Sequence, residues 1–93
     1  MQFEWDEAKA AANIKKHGES FFETIEVLKD PLALTVYDDE HSNFEDRFVT
    51  IGSSATRQVV VVVHADRNDV VRIISARLAN RRERLDYEDG TLP

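Results

Sequence analysis

Ninety-three residues with 42% apolar side chains can close one modest core, so a single domain is expected rather than a disordered chain. The chain has no cysteine, which excludes a disulfide framework, a thiolate nucleophile and Cys-ligated zinc, and suits a cytoplasmic setting. A net charge of −6 argues against indiscriminate polyanion binding, and the longest apolar run, Val59 to Val63, is far too short to span a membrane.

The N-terminal MQFEWDEAK has no basic segment followed by an apolar one, so no secretory signal is expected. Gln2 to Trp5 reads as a short edge strand. Asp6 then caps a helix that runs to Gly18, with Lys15, Lys16 and His17 in the last turn, where cations complement the helix dipole. Ser20 with Glu23 forms the start signal of a second helix, which ends before Asp30-Pro31. Strands follow at Leu32–Tyr37, Arg47–Gly52, Gln58–His64 and Val70–Ser75. The acidic Asp38–Asn43 stretch, Ser53–Thr56 and Asp66–Asp69 make the turns. The nearly continuous valines of the third strand predict burial on both faces. A last helix is expected from Ala76 to about Tyr87, with residues 89–93 a frayed tail. The order α-α-β-β-β-β-α, with an initial edge strand possible, predicts an α+β domain: an antiparallel sheet of about four strands with helices packed on it.

The charge distribution is more informative than its sum. Asp38 to Asp46 contains five carboxylates and no basic residue. Arg57 to Arg84 sets seven arginines against three carboxylates, a local charge of +4. All four lysines precede Arg47, and all eight arginines lie from Arg47 onward. Guanidinium forks match phosphate oxygens better than ammonium groups do. His64 ends a strand, Arg67 lies in the next turn and Arg72 sits on the adjacent strand. Arg77 and Arg81 would share one helix face at i, i+4. Such a set suits RNA transesterification. A histidine moves the proton of a 2′-hydroxyl or of the leaving oxygen, and arginines stabilise the phosphorane. Three histidines at 17, 41 and 64 lack the spacing of a zinc site, and the acidic stretch lacks that of a calcium loop, so no metal or cofactor is expected. Plainer readings stand beside these. His64 can satisfy a neighbouring carbonyl, the C-terminal arginines can form a solvated face, Lys16 and His17 can serve only the helix dipole, and Trp5 can anchor the core. Spacing alone reaches a small α+β domain with an arginine-rich, His-containing surface.

Several separated motifs resemble the BrnT family. They are Phe3-Glu-Trp5-Asp6-Glu-Ala-Lys9, Asn13-Ile-Lys-Lys16-His17-Gly18, Asp30-Pro-Leu-Ala, Asp46-Arg47-Phe with Ile51-Gly52, and Arg72-Ile-Ile-Ser-Ala-Arg77 through Arg81-Arg82-Glu83-Arg84 to Tyr87-Glu88. Ala65 departs from the pattern, where a small hydroxyl residue is expected. The resemblance implies a RelE-like fold and an endoribonuclease that arrests translation and growth. It also implies a BrnA-like ribbon-helix-helix antitoxin, with operator DNA bound through that antitoxin and a two-plus-two complex. Lys16, His17, His64, Arg67, Arg72, Arg77 and Arg81 are the polar positions it carries over. Of these, His64, Arg72, Arg77 and Arg81 are expected at the reaction centre and Arg67, Lys16 and His17 along the RNA. The competing expectations are a non-catalytic co-repressor subunit and a plain RNA-binding module.

Overall fold

A computed structural model describes residues 1–91. Strand β1 (Gln2–Glu4) leads into helices α1 (Glu7–His17) and α2 (Phe21–Leu28). Four strands follow, β2 (Leu34–Tyr37), β3 (Arg47–Ser53), β4 (Val59–Arg67) and β5 (Val70–Leu78), and α3 (Arg81–Asp89) closes the chain. The sheet has five strands in the order β1-β5-β4-β3-β2. β1 pairs parallel with β5 and all other pairs are antiparallel, so the sheet is mixed where an antiparallel one of about four strands was expected.

The helix caps form as their residues predict. The Asp6 side chain accepts from the Lys9 N–H, Gly18 adopts the left-handed conformation (φ 74°), and the Ser20 hydroxyl accepts from the Glu23 N–H. The last helix differs. Residues 76–78, expected to be helical, remain in β5, where Val60 faces Leu78 and Val61 faces Arg77. Helix α3 begins only after Asn80, which forms a reciprocal capping box with Glu83. That start signal was legible in the sequence and outweighs the helical periodicity read from Ala76 onward. Gly90 caps α3 with φ 72°, and the Thr91 N–H donates to the Asp86 carbonyl. Residues 92–93 of the expected frayed tail lie outside the described residues.

Strand β4 is the centre of the molecule. Its valines alternate between two cores. Val60 and Val62 join Ala10, Phe21, Val27, Ile73 and Ala76 under α1 and α2. Val61 joins Ile51 and Ala79 on the opposite face, with Val49, Val59 and Tyr87 packed around them. Phe21 and Val27 are almost fully buried, and each such side chain contributes on the order of 1.5–3 kcal/mol. Trp5 packs edge-on against Phe21, which is the core-anchor reading of that residue. Gly52 permits the close approach of α2 to β3, because a Cβ there would lie 2.8 Å from the Val27 carbonyl oxygen.

Two polar knots tie the layers. The buried Asn13 amide donates to the Ala76 and Glu19 carbonyls and accepts from the Ala76 N–H, locking α1 to β5. Asp30 accepts from the Leu32 and Ser53 N–H groups and from the Tyr87 hydroxyl, tying α3 to the end of β3. The Tyr87 phenol is pushed up to about 12, first by its hydrogen bond to Asp30, then by burial and the carboxylate charge.

Asn13→Ala should therefore cost about 2–4 kcal/mol, because it strands buried backbone groups of β5. Thermal unfolding should show a Tm at least about 8 °C lower. Tyrosine ionises near pH 10 when unfolded, so the Tyr87–Asp30 bond stabilises fully below pH 10 and is lost as pH rises through about 12. The Tm gap between the native chain and Tyr87→Phe should close across that window.

Candidate functional site

Side-chain alternation divides the polar candidates between the two faces of the sheet. Arg77 lies opposite Val61, on the face away from α1 and α2. Arg72 lies opposite Ala65, and Ala65 opposite Arg47. Because β4 runs without interruption, Val61, Val63, Ala65 and Arg67 share that face. Arg72 and Arg77 are five residues apart, so a regular strand would turn them to opposite sides. A register shift prevents this: Val63 pairs with Ser75 but His64 pairs with Ile73, leaving Ile74 as the extra residue of a β-bulge. Arg47, Arg67, Arg72 and Arg77 consequently project from one open face, and α3 covers only its far end. The rows of Arg72 and Arg77 are four β4 residues apart, about 13 Å.

The expected i, i+4 helix pair does not form, since Arg77 is on β5 and only Arg81 is on α3. The two are still joined through α3. Arg77 donates two parallel hydrogen bonds to Glu83, at 2.7 and 2.8 Å, while the Glu83 carboxylate also accepts from the Asn80 N–H. This fork raises the Arg77 pKa and holds Glu83 below the usual carboxylate range, outweighing the cost of partial burial. Arg72 sits 3.4 Å from Glu4 and Arg47 3.7 Å from Glu45, both in longer, exposed pairs. Among the described residues Arg67 and Arg81 have no ion pair. A cleft of about 350 Å³ lies over Ala65, lined by Arg67 and Arg72 and by Glu4 and Glu45.

His64 is on the other face. It is 4% exposed, and its ring stacks on Phe48. Nε2 bonds the Thr50 hydroxyl at 2.8 Å, and Thr50 in turn bonds Thr35. Nδ1 bonds the exposed Asp66 carboxylate at 2.6 Å. Both ring nitrogens are thus engaged, and solvent is reached through Asp66. Lys16 and His17 end α1, also on the helix side, just beyond the Asn13 anchor at Ala76. The structure therefore sets Arg67, Arg72 and Arg77 on one face of the sheet, leaves Arg81 at the start of α3, and separates the three strand arginines from His64, Lys16 and His17.

Two residues of this surface were not singled out from sequence. Glu83 was readable from its Asn80-x-x-Glu83 spacing. Arg47 was not, because only strand pairing places it in the row of Ala65 and Arg72. Among the described residues no group of three or more His, Asp or Glu side chains converges in a metal-binding arrangement. A larger cavity of about 900 Å³ lies between α2 and the turn after β3, lined by Phe22, Glu26 and Thr56 among others, and carries no arginine. No described helix is long and apolar enough to cross a membrane.

Comparisons with known proteins agree with this architecture. Residues 5–83 match the family described as ribonuclease toxin, BrnT, of type II toxin–antitoxin system. Among solved structures, the Brucella abortus ribonuclease toxin BrnT is similar, with a TM-score of 0.72 at 26% identity over 87% of this chain and 99% of that one. No curated protein sequence matches. The α+β fold and the match across most of the chain place it in the BrnT family, the ribonuclease toxins of type II toxin–antitoxin systems.

Proposed function

We propose that this chain is a metal-independent endoribonuclease that acts in the cytoplasm as the toxin of a toxin–antitoxin pair. The observation that carries the reading is the gathering of Arg67, Arg72 and Arg77 on one open sheet face, with Arg81 following on α3, in a member of a ribonuclease toxin family. Fixed guanidinium charge supplies what the reaction most needs, stabilisation of the extra negative charge on a pentavalent phosphorane. Arg77 and Arg81 hold the scissile phosphate, and Arg72, about 13 Å away along β4, holds the neighbouring one together with Arg67. Lys16 and His17, on the helix side, contact only flanking RNA. The 2′-oxygen attacks the adjacent phosphorus, leaving a 2′,3′-cyclic phosphate and a 5′-hydroxyl. His64 lies on the opposite face from these arginines, so a proton-transfer role for it runs through Asp66, its one exposed hydrogen-bond partner, and not from within the arginine cluster.

The partner in this reading is an adjacent antitoxin of the BrnA-like ribbon-helix-helix type. It binds operator DNA for both proteins in a two-plus-two complex, since the toxin's own charge of −6 opposes DNA. A second reading, a non-catalytic co-repressor subunit, is favoured by one observation: among the described residues no histidine stands in the strand rows of Arg72 and Arg77, and both nitrogens of His64 are already bonded.

Purified chain incubated with RNA in EDTA should cleave it and leave cyclic phosphate ends. Activity that requires added magnesium would refute metal independence, and no cleavage at all would leave the co-repressor reading. Arg72→Ala or Arg77→Ala should lower the cleavage rate by about 10²-fold or more, with Tm reduced by no more than about 8 °C. Arg57→Gly is the matched control, because Arg57 is left-handed (φ 63°) in a turn and glycine fits there. Equal losses at Arg57 and Arg77 would indicate diffuse electrostatics instead of a site.

His64→Gln separates the two roles of the histidine. A proton-transfer role predicts that one limb of the pH–rate profile is lost. A purely structural role predicts a lower Tm and an unchanged profile.

A further inference from the structure

We infer that Arg47 and Arg72 form the two walls of a phosphodiester-binding notch whose floor is Ala65, with Arg67 closing its outer end. The inference rests on the reading of this face as an RNA surface and deepens it by adding Arg47, to which no role has so far been attached. Arg47, Ala65, Arg72 and Glu4 stand in one cross-strand row over β3, β4, β5 and β1. Adjacent strands are about 4.8 Å apart, so the two arginines flank Ala65 at about 10 Å from backbone to backbone. The methyl group of Ala65 fills little of that interval; the cleft of about 350 Å³ opens on the Arg72 side of it, and Glu45, the ion-pair partner of Arg47, lines it in place of Arg47 itself.

An independent observation points to a missing acceptor. The Nε of Arg47 is buried and has no hydrogen-bond partner. A buried guanidinium donor left unsatisfied is costly, and native structures rarely keep one without a reason. The remaining contacts of the row are weak and replaceable. Glu45 lies 3.7 Å from Arg47 and Glu4 3.4 Å from Arg72, both with side chains about half exposed. Such pairs contribute little, so a phosphate displaces them readily and takes the guanidinium donors in bidentate fashion. The notch lies on the same face as Arg77, about 13 Å along β4. It therefore holds a phosphate flanking the one at Arg77, and sets the direction in which an RNA strand crosses the sheet.

The test uses the full chain and a fluorescent 2′-O-methyl RNA octamer, which lacks the attacking hydroxyl and so reports binding without cleavage. Anisotropy titrations at several salt concentrations give both affinity and the number of phosphate contacts. Arg47→Ala should weaken binding about tenfold or more and reduce the salt slope by about 0.7, the value of one lost contact on a single strand. Its Tm should hold or rise, because an orphaned donor has been removed. Arg47→Lys should restore the slope and only part of the affinity, since it keeps the charge but not the fork. Ala65→Val, which fills the floor of the notch, should weaken binding with the salt slope falling likewise. Unchanged binding in Arg47→Ala, with Arg72→Ala still impaired, overturns the notch and leaves the RNA surface standing. A native chain that does not bind the octamer overturns both.

Discussion

The single extra residue at Ile74 organises both faces of the sheet. Ile73 and Ala76 are three residues apart, yet both belong to the core beneath α1 and α2. Arg72 and Arg77 are five apart, yet both face outward. A regular strand meets neither condition, because its side chains alternate strictly. Without the bulge, either the arginine near one end of β5 or the apolar residue near the other would be turned into the wrong environment. Burying an unpaired guanidinium or exposing Ile73 would each cost several kcal/mol. The bulge thus reconciles a continuous core on one side with a continuous arginine surface on the other.

Charge is managed locally around that surface. The chain carries −6, but the carboxylates nearest the open face are engaged with its arginines: Glu4 with Arg72, Glu45 with Arg47 and Glu83 with Arg77. The first two pairs are exposed and long. The third differs in kind. Glu83 is held by the capping box of α3 and grips Arg77 through both oxygens, so the guanidinium is held in one orientation. The acidic loop is occupied elsewhere: Asp38 caps the 3-10 turn and pairs with His41, and Asp46 accepts from Tyr37.

His64 shows how a residue suited to catalysis can also be integral to the fold. It stands in a cross-strand row with Tyr37, Phe48 and Ile73, and its ring joins the aromatic stack beginning at Tyr37. The Thr35–Thr50–His64–Asp66 chain of hydrogen bonds runs from β2 to the exposed end of β4. Of the partners of the ring, Asp66 is the one that is open to solvent.

The sequence by itself determined the elements whose signals are local. The caps of α1 and α2 follow from Asp6, Gly18 and Ser20. Strand β4 follows from its valines, and the family follows from motifs spread along nearly the whole chain. Periodicity also put Arg77 in a helix beginning at Ala76. The competing cap at Asn80 and the ladder with Val60 to Val63 keep it in a strand. Only the tertiary structure decided that β1 joins β5 in parallel, that Ile74 bulges, that Arg47 aligns with Arg72 across Ala65, and that His64 faces the opposite side. Each of these is a matter of register between segments far apart in the chain. A one-residue change in register reverses which face a side chain occupies while leaving composition, propensity and local spacing untouched. Residue types could therefore indicate the chemistry available to this protein, while strand pairing determined which of those residues share a surface.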